Sequence, residues 1–281
     1  MSFRYSTAPW TQHSAALVVL ALASVAVEQP WLRDRWTDFV LGQPSWWRFV
    51  GAVFVIHGVV FWSMVAAFAW AARRGDRSWI AKYRIQSDEK RRPPAARVRR
   101  VVALNQLFWS PVVLFAIWGL LQARGWQRMS ELPSALQLWA MMAGLTLCSA
   151  TYFYTSHRLL HRPWWMKRVH RVHHEFRSTT AVAAEYAHWF EFLVGNFGTM
   201  AFGVILLAPS VFTIYVYTLL GTYTFVAHHS GYAIPWISSP VHHDWHHFRS
   251  REAFGTFGHL DRWLRTDREF AGLRDGQKVG K

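Results

Sequence analysis

Apolar residues in this chain gather into long runs, with polar residues between them. The runs cover residues 15–27, 49–72, 101–123 and 135–155. A last run, 190–227, is interrupted by Ala208-Pro209-Ser210. A helix rises ~1.5 Å per residue, so ~20 apolar residues cross the ~30 Å hydrocarbon layer of a bilayer. The second, third and fourth runs are predicted to be transmembrane helices. The last is long enough for two, and a central proline breaks a helix. It reads as a helical hairpin, either spanning or re-entrant. The first run is short for a span. We read it as a retained first helix because more spans follow, although Arg4 and the small residues at 21–26 also fit a cleaved signal peptide. The expected fold class is all-α: an integral-membrane helical bundle.

Composition agrees with that pattern. Hydrophobic residues make up 52% of the chain, yet the formal net charge is +15. The two coexist easily when apolar spans alternate with basic loops. Eighteen tryptophans suit membrane–water interfaces, where the ring is buried and the N–H stays wet. The basic charge does not point to nucleic acid, because Lys and Arg sit between spans rather than on one polar module. Cys148 is the sole cysteine. Intrachain disulfides and Cys-ligated zinc or iron–sulfur sites are thereby excluded, and any metal must use nitrogen or oxygen.

Charge also predicts topology. Residues 73–100 carry eleven Lys or Arg and three acidic residues, so this segment is expected on the cytoplasmic side. Counting spans from there brings 156–189 and 228–281 to that same face. The expected division is 1–100 (N-terminal spans and basic loop), 101–270 (catalytic part) and 271–281 (polar tail). No internal repeat of fixed period is present.

Those two segments hold the candidate chemistry. Thirteen of the 15 histidines lie within 157–259. His157 and His161 form an HxxxH pair. His170, His173 and His174 form an HxxHH group, and His243, His246 and His247 form another. On a helix, residues three or four apart share a face and can grip one ion. The adjacent histidine of each HxxHH is turned aside and can reach a second ion. Eight such nitrogens are too many for one ion and suit two. His13, His57 and His259 fall outside these groups and read as structural. Nitrogen ligands alone do not choose among Zn, Fe, Cu and Ni. The set is read as unlike the glutamate and Glu-x-x-His ligands of soluble di-iron bundles.

At these residues the chain resembles the fatty acid hydroxylase/sterol desaturase superfamily, and within it the sterol 4-methyl oxidases. Lys82-Tyr83-Arg84-Ile85-Gln86 resembles a segment ahead of the catalytic half. The three histidine groups resemble the family's boxes. Ala183-Ala184-Glu185-Tyr186-Ala187-His188 with Glu191, His229-Ser230-Gly231-Tyr232 with Pro235, and Asp261 with Thr266-Asp267 match further stretches in order. The likeness covers about residues 80–270. Trp189 departs from it, standing where the family has proline.

The resemblance implies a di-iron centre with ten ligands: His157, His161, His170, His173, His174, His188, His229, His243, His246 and His247. Beside them it places His228 and His242, with Glu185, Glu191 and Asp244 as acceptors for the outer N–H groups of ligand imidazoles. It also implies hydroxylation of a lipid C–H bond with O2 and two electrons, most closely a sterol C4 methyl group. The electrons would come from an external NAD(P)H-linked donor such as a b-type cytochrome or ferredoxin. Expected partners are the bilayer, the lipid and that electron carrier, and no nucleic acid. The expected location is the endoplasmic reticulum of a eukaryote or the inner membrane of a bacterium, with the site facing the cytoplasm. Hydroxylation or desaturation of another lipid (fatty acyl, sphingolipid, carotenoid or terpenoid) stays open. A His-rich metal transporter is the remote alternative, since transporters place their few ligands at mid-membrane.

Overall fold

A computed structural model describes residues 14–86, 92–126, 131–238 and 240–274. His13 and most of the polar tail lie outside the described residues. Among those described, every regular element is helical, and one isolated antiparallel bridge joins Arg84 to Tyr232.

Helices α1 (Ser14–Val27) and α2 (Pro30–Leu41) meet at 87°. Pro30 opens α2, where its missing N–H costs no hydrogen bond. The 14 residues of α1 span only ~21 Å. The first apolar run is therefore one arm of a bent pair rather than a straight span. Among the described residues, four helices are long and apolar enough to cross a membrane: α3 (Trp47–Arg73), α4 (Ala95–Ala123), α6 (Trp189–Leu207) and α7 (Val211–His228).

Helix α5 (Ala135–Leu160) lies between α4 and α6 in the chain. It opens with a reciprocal cap between Ser134 and Gln137. Its 26 residues are long enough, but it is not among the four apolar candidates. Gln137, Thr146, Ser149 and Thr151 make it less apolar than those four, while its length matches the span that the sequence pattern predicts. The expected hairpin is present. Ala208 turns left-handed at φ 45°, and the Ser210 hydroxyl caps α7 by accepting from Thr213 N–H.

Helix α7 is the axis of the bundle, with 56% of its apolar window buried against 28% for α3 and α6. Packing of α3 along α7 and of α5 along α6 encloses a core of Leu114, Leu121, Leu138, Leu145, Val204 and Ile214. Small residues permit the closest approaches, as is usual between membrane helices. A Cβ at Gly198 would lie 2.5 Å from the Tyr152 hydroxyl on α5. Apolar side chains also cover the outer faces: Leu107 and Leu147 are about 70% exposed, as lipid contact allows and water does not.

Beyond the ends of α5 and α7 the chain builds a cap from turns and short helices: α8 (Val241–Arg249), α9 (His259–Leu264) and α10 (Arg268–Arg274). Phe61, Phe68, Ala183, Tyr186 and Val226 join the bundle to this cap, and Ile85, Trp245, Ala253 and Phe270 fill the cap itself.

Candidate metal centre

Local backbone form decides how each histidine box presents its nitrogens. His157 lies in the last turn of α5, and His161 is the residue that ends it. Pro163 starts a new helical turn, which widens into a π-turn over Met166–His170 and then tightens into a 3-10 turn over His173–Glu175. The first HxxHH is therefore not on one regular helix, as its spacing predicted. The second is, on α8. Single π-turns inside helical segments often mark functional sites.

Nine histidines converge in two groups. The first is His157, His161, His170, His174 and His246; the second is His173, His229, His243 and His247. Each HxxHH is split by the same rule. Residues i and i+4 stay together, while i+3 crosses to the other group: His170 and His174 join the first and His173 the second, whereas His243 and His247 join the second and His246 the first. Two chain segments are thereby interlocked through both groups.

The facing atoms are all Nε2. In the first group, His170 Nε2 lies 2.9 Å from His161 Nε2, 3.0 Å from His174 Nε2 and 3.1 Å from His157 Nε2. In the second, His229 Nε2 lies 2.9 Å from His243 Nε2 and 3.3 Å from His173 Nε2.

Five of these rings cannot donate from Nε2, because their protons are elsewhere. Nδ1–H of His157 donates to Phe254 O at 2.7 Å, of His246 to Glu252 O at 2.7 Å, and of His247 to Phe176 O at 2.8 Å. Nδ1–H of His173 donates to Tyr186 O at 3.1 Å, and of His229 to Phe225 O at 2.8 Å. A carbonyl only accepts, so each of these Nδ1 atoms holds the ring proton and each Nε2 carries a bare lone pair.

The rings are neutral. Burial and neighbouring imidazoles lower His161 to about 3, and burial lowers His173 to about 4. Lone pairs crowded at ~3 Å in a buried site repel unless a cation sits among them. The donor set therefore fits metal ions, one for each group.

The remaining residues expected at the site separate clearly. Glu191 Oε1 meets His170 Nδ1 at 2.7 Å. Glu185 does not face a ligand-type histidine. It is buried and paired with His57 of α3, whose Nδ1 lies 3.0 Å from Thr222 Oγ1. Asp244 accepts from Gln86 Nε2 at 2.8 Å and from Thr179 Oγ1, and burial raises it to about 6. His228 Nε2 lies 2.8 Å from Ser238 Oγ. His242 lies 3.8 Å from Asp261 and packs edge-on against Phe270.

His188 belongs to neither group. The backbone turns after Tyr186, so His188 caps the start of α6 by accepting from Phe190 N–H at 3.2 Å, its ring beside Trp189. Glu185 and His188 do stand at Glu-x-x-His spacing, but the 3-10 turn Ala181–Glu185 aims the glutamate at His57 instead. His57 thus closes a buried polar pair inside a membrane helix.

These nine rings match an extended sequence similarity. Residues 142–266 match the fatty acid hydroxylase family model. Fatty acid hydroxylase domain-containing protein 2 of Macaca fascicularis is 31% identical over 226 residues, 79% of this chain and 67% of that protein. The chain belongs to the fatty acid hydroxylase family. A methylsterol monooxygenase of Arabidopsis thaliana is 30% identical over 242 residues, 81% of this chain and 88% of that protein. A very-long-chain aldehyde decarbonylase of Oryza sativa subsp. indica is 28% identical over 266 residues, 89% of this chain and 95% of that protein. No solved structure matches the chain. With its four apolar helices and these relatives, this member of the fatty acid hydroxylase family is an integral-membrane, lipid-oxidising enzyme.

Some residues that build its site carried no sequence signal. Ser250 and Ala253 adopt left-handed φ of 58° and 62°, at a cost of roughly 1–2 kcal/mol each. Those turns bring the Glu252 carbonyl to His246 and the Ser250 hydroxyl to within 3.1 Å of His174 Nδ1. The Glu252 carboxylate in turn accepts from Trp245 Nε1 at 2.6 Å and from the N–H groups of Glu269 and Phe270. Asp261, matched in the resemblance, accepts from Phe254 N–H and Gly255 N–H, both at 2.7 Å. It holds the loop whose carbonyl orients His157. Between the two groups lies a void of about 10 Å³, bounded by histidines of both and by Phe153, Leu160, Gly195 and Phe225. It has room for about one water.

Proposed function

We propose that this chain is a membrane-bound di-iron oxygenase whose nine converging histidines hold two irons. We infer that it hydroxylates a lipid C–H bond, with the C4 methyl group of a sterol as the favoured target. The observation that carries the reading is the pair of buried groups with bare Nε2 lone pairs, facing a small void walled by membrane helices. The methylsterol monooxygenase relative, matched over 88% of its length, supports the sterol. Iron rests on the resemblance, since neutral imidazoles accept several metals.

Bound iron would supply the activation of O2 and the oxidation of an unactivated C–H bond. The chain's own contribution is positional. Main-chain carbonyls fix the tautomer of His157, His173, His229, His246 and His247, and Glu191 orients His170. Phe153, Leu160 and Phe225 keep bulk water from the space between the groups. All three come from α5 and α7, so the lipid is taken to present its C–H bond from the bilayer side. Positive-inside charge supports a cytoplasmic orientation for that face, and on this reading the basic segment at 73–100 would meet an electron-transfer protein supplying two electrons per turnover.

Expression in a host lacking its own sterol 4-methyl oxidase tests the reading. Iron and zinc are quantified in the purified protein, and sterols are profiled by mass spectrometry. About two irons per chain with depletion of 4-methyl sterols supports it. Two irons with unchanged sterols retains the oxygenase and moves the target to a fatty acyl or aldehyde lipid. Zinc with no oxidised lipid in any class overturns it.

A further inference from the structure

His57 on α3, Asn105 on α4 and Thr222 on α7 are polar side chains inside membrane helices, and none belongs to a histidine group. Polar groups at such positions are costly and persist where they have a task. His57 joins two elements. Its Nδ1 lies 3.0 Å from Thr222 Oγ1, and its Nε2 meets the Glu185 carboxylate. Asn105 is buried and opens a π-turn, Asn105–Trp109, within α4. Its Nδ2 donates to Glu185 O and to Ala187 O, each at 3.0 Å.

Both residues therefore close on the turn at 184–187, which is buried throughout. Asn196 Nδ2 adds a bond to Ala184 O at 3.1 Å, and the Tyr186 hydroxyl donates to Glu175 Oε2 at 2.6 Å. Asparagine side chains thus take the carbonyls of 184, 185 and 187. The carbonyl between them, Tyr186 O, accepts from His173 Nδ1–H at 3.1 Å. The Thr222 contact leads to the same group by a second route. His229 follows directly on α7, and its Nδ1–H is held by Phe225 O of that helix. His173 and His229 are half of the smaller group. In the larger group, the outer nitrogens of His157, His170, His174 and His246 meet Phe254 O, Glu191, Ser250 and Glu252 O. None of those four lies on this turn.

We propose that His57 and Asn105 are positioning residues for the smaller histidine group, holding the 184–187 turn against α3, α4 and α7 so that Tyr186 O fixes His173 beside His229. The assignment rests on the reading that the two groups bind metal. An outer acceptor sets the tautomer and direction of a ligand imidazole, and it does so only if its own place is fixed. A short 3-10 turn has no long helical ladder to fix it. The side chains of the membrane helices supply that support, so the packing of α3 on α7 sets the approach of His173 to His229.

Zinc(II) titration of the purified full-length chain in detergent, in competition with a chelator, tests this without turnover, since zinc is redox-inert. The wild-type chain should resolve two affinities. His57→Phe keeps an aromatic ring beside Phe61 but removes the contacts to Thr222 and Glu185. It should lower one affinity ~10–100-fold and leave the other unchanged. His57→Gln, which can still donate to Glu185, should restore most of the loss. Asn105→Ala acts on the same turn from another helix, should weaken the same ion, and decides the matter if the phenylalanine variant does not fold. In His243→Ala, whose smaller group has lost a ring, adding His57→Phe should leave the affinity of the remaining ion unchanged. Monodispersity and retention of the ion in the larger group report folding. Equal weakening of both ions, or of neither, in folded variants overturns the assignment and leaves the metal reading standing. A wild-type chain that takes up no zinc overturns the metal reading, and the assignment with it.

Discussion

The two histidine groups are made from the same parts and differ in number. Five rings converge in one and four in the other. The larger draws on α5, the π-turn segment and α8. The smaller depends on His229, just beyond the end of α7, and on the i, i+4 pair of α8. Losing one ring leaves four donors in the larger group and three in the smaller. The difference predicts unequal tolerance. His243→Ala leaves three rings in the smaller group and should lower bound metal to roughly one ion per chain, with turnover abolished. His161→Ala leaves four in the larger group and should keep both ions bound while still losing turnover. Metal analysis by mass spectrometry on the two variants decides the matter, and equal metal loss in both would erase the distinction.

How much of this was legible in the sequence follows from what spacing encodes. Histidines three and four apart stand out by their spacing alone, so all three boxes were visible. Their division between groups was not, because it depends on where α8 lies against the π-turn of 166–170. The Pro209 hairpin was legible, since proline and a short polar break act locally. The extent of helix α5 was legible too, since its scattered polar residues do not interrupt the apolar run. The partner of Glu185 was invisible: His57 stands 128 positions away in the chain, a number that only packing of α3 against the 181–185 turn makes small. The carbonyls of Glu252 and Phe254 were equally hidden, because every residue has one.

Acid should act on both groups together. His173 and His161 in the fold lie at about 4 and about 3, below the ordinary value of ~6.5. Below pH ~6.5 the unfolded chain binds protons that the folded chain refuses, so stability falls as pH drops. The fall continues until the pH reaches the folded values. Asp244, raised to about 6, has the opposite sign, since its burial costs stability as pH rises through that value. Carboxyls of that sign are outnumbered by the buried imidazoles, so the net slope should follow the histidines. Thermal unfolding of the metal-free chain should show a midpoint that drops between pH 6.5 and 4. A midpoint that rises over that interval would contradict neutral, buried rings. Metal release from the loaded chain should occur over the same interval, because protons and metal compete for Nε2.

A smaller effect is expected where the groups differ in their outer support. Among the described residues, Glu191 is the one carboxylate that meets an outer nitrogen of either group, at His170; His173, His229 and His247 of the smaller group rely on carbonyls. Glu191→Gln keeps an acceptor for His170 Nδ1–H but removes the charge. Metal affinity of the larger group should fall ~10–100-fold, as outer-shell substitutions commonly do, with the smaller group unchanged. Competition with a chelator, resolved into two affinities, measures it.

The smallest effect belongs to the histidine that the family pattern groups with the others and the fold sets apart. His188 is half-buried, accepts a backbone N–H at the start of α6 and lies against Trp189, which in turn stacks on Trp109 with ring centroids 5.2 Å apart. Its task here is to cap a helix and support an aromatic stack at the membrane end of α6. Removing a cap costs ~1 kcal/mol, so His188→Ala should lower thermal stability slightly and leave metal content at the wild-type level. His188→Asn, which restores a capping acceptor, should recover the stability. Loss of an ion from folded His188→Ala would mean that His188 swings into one of the groups when metal binds, and that the comparison of five against four must be redrawn with ten rings.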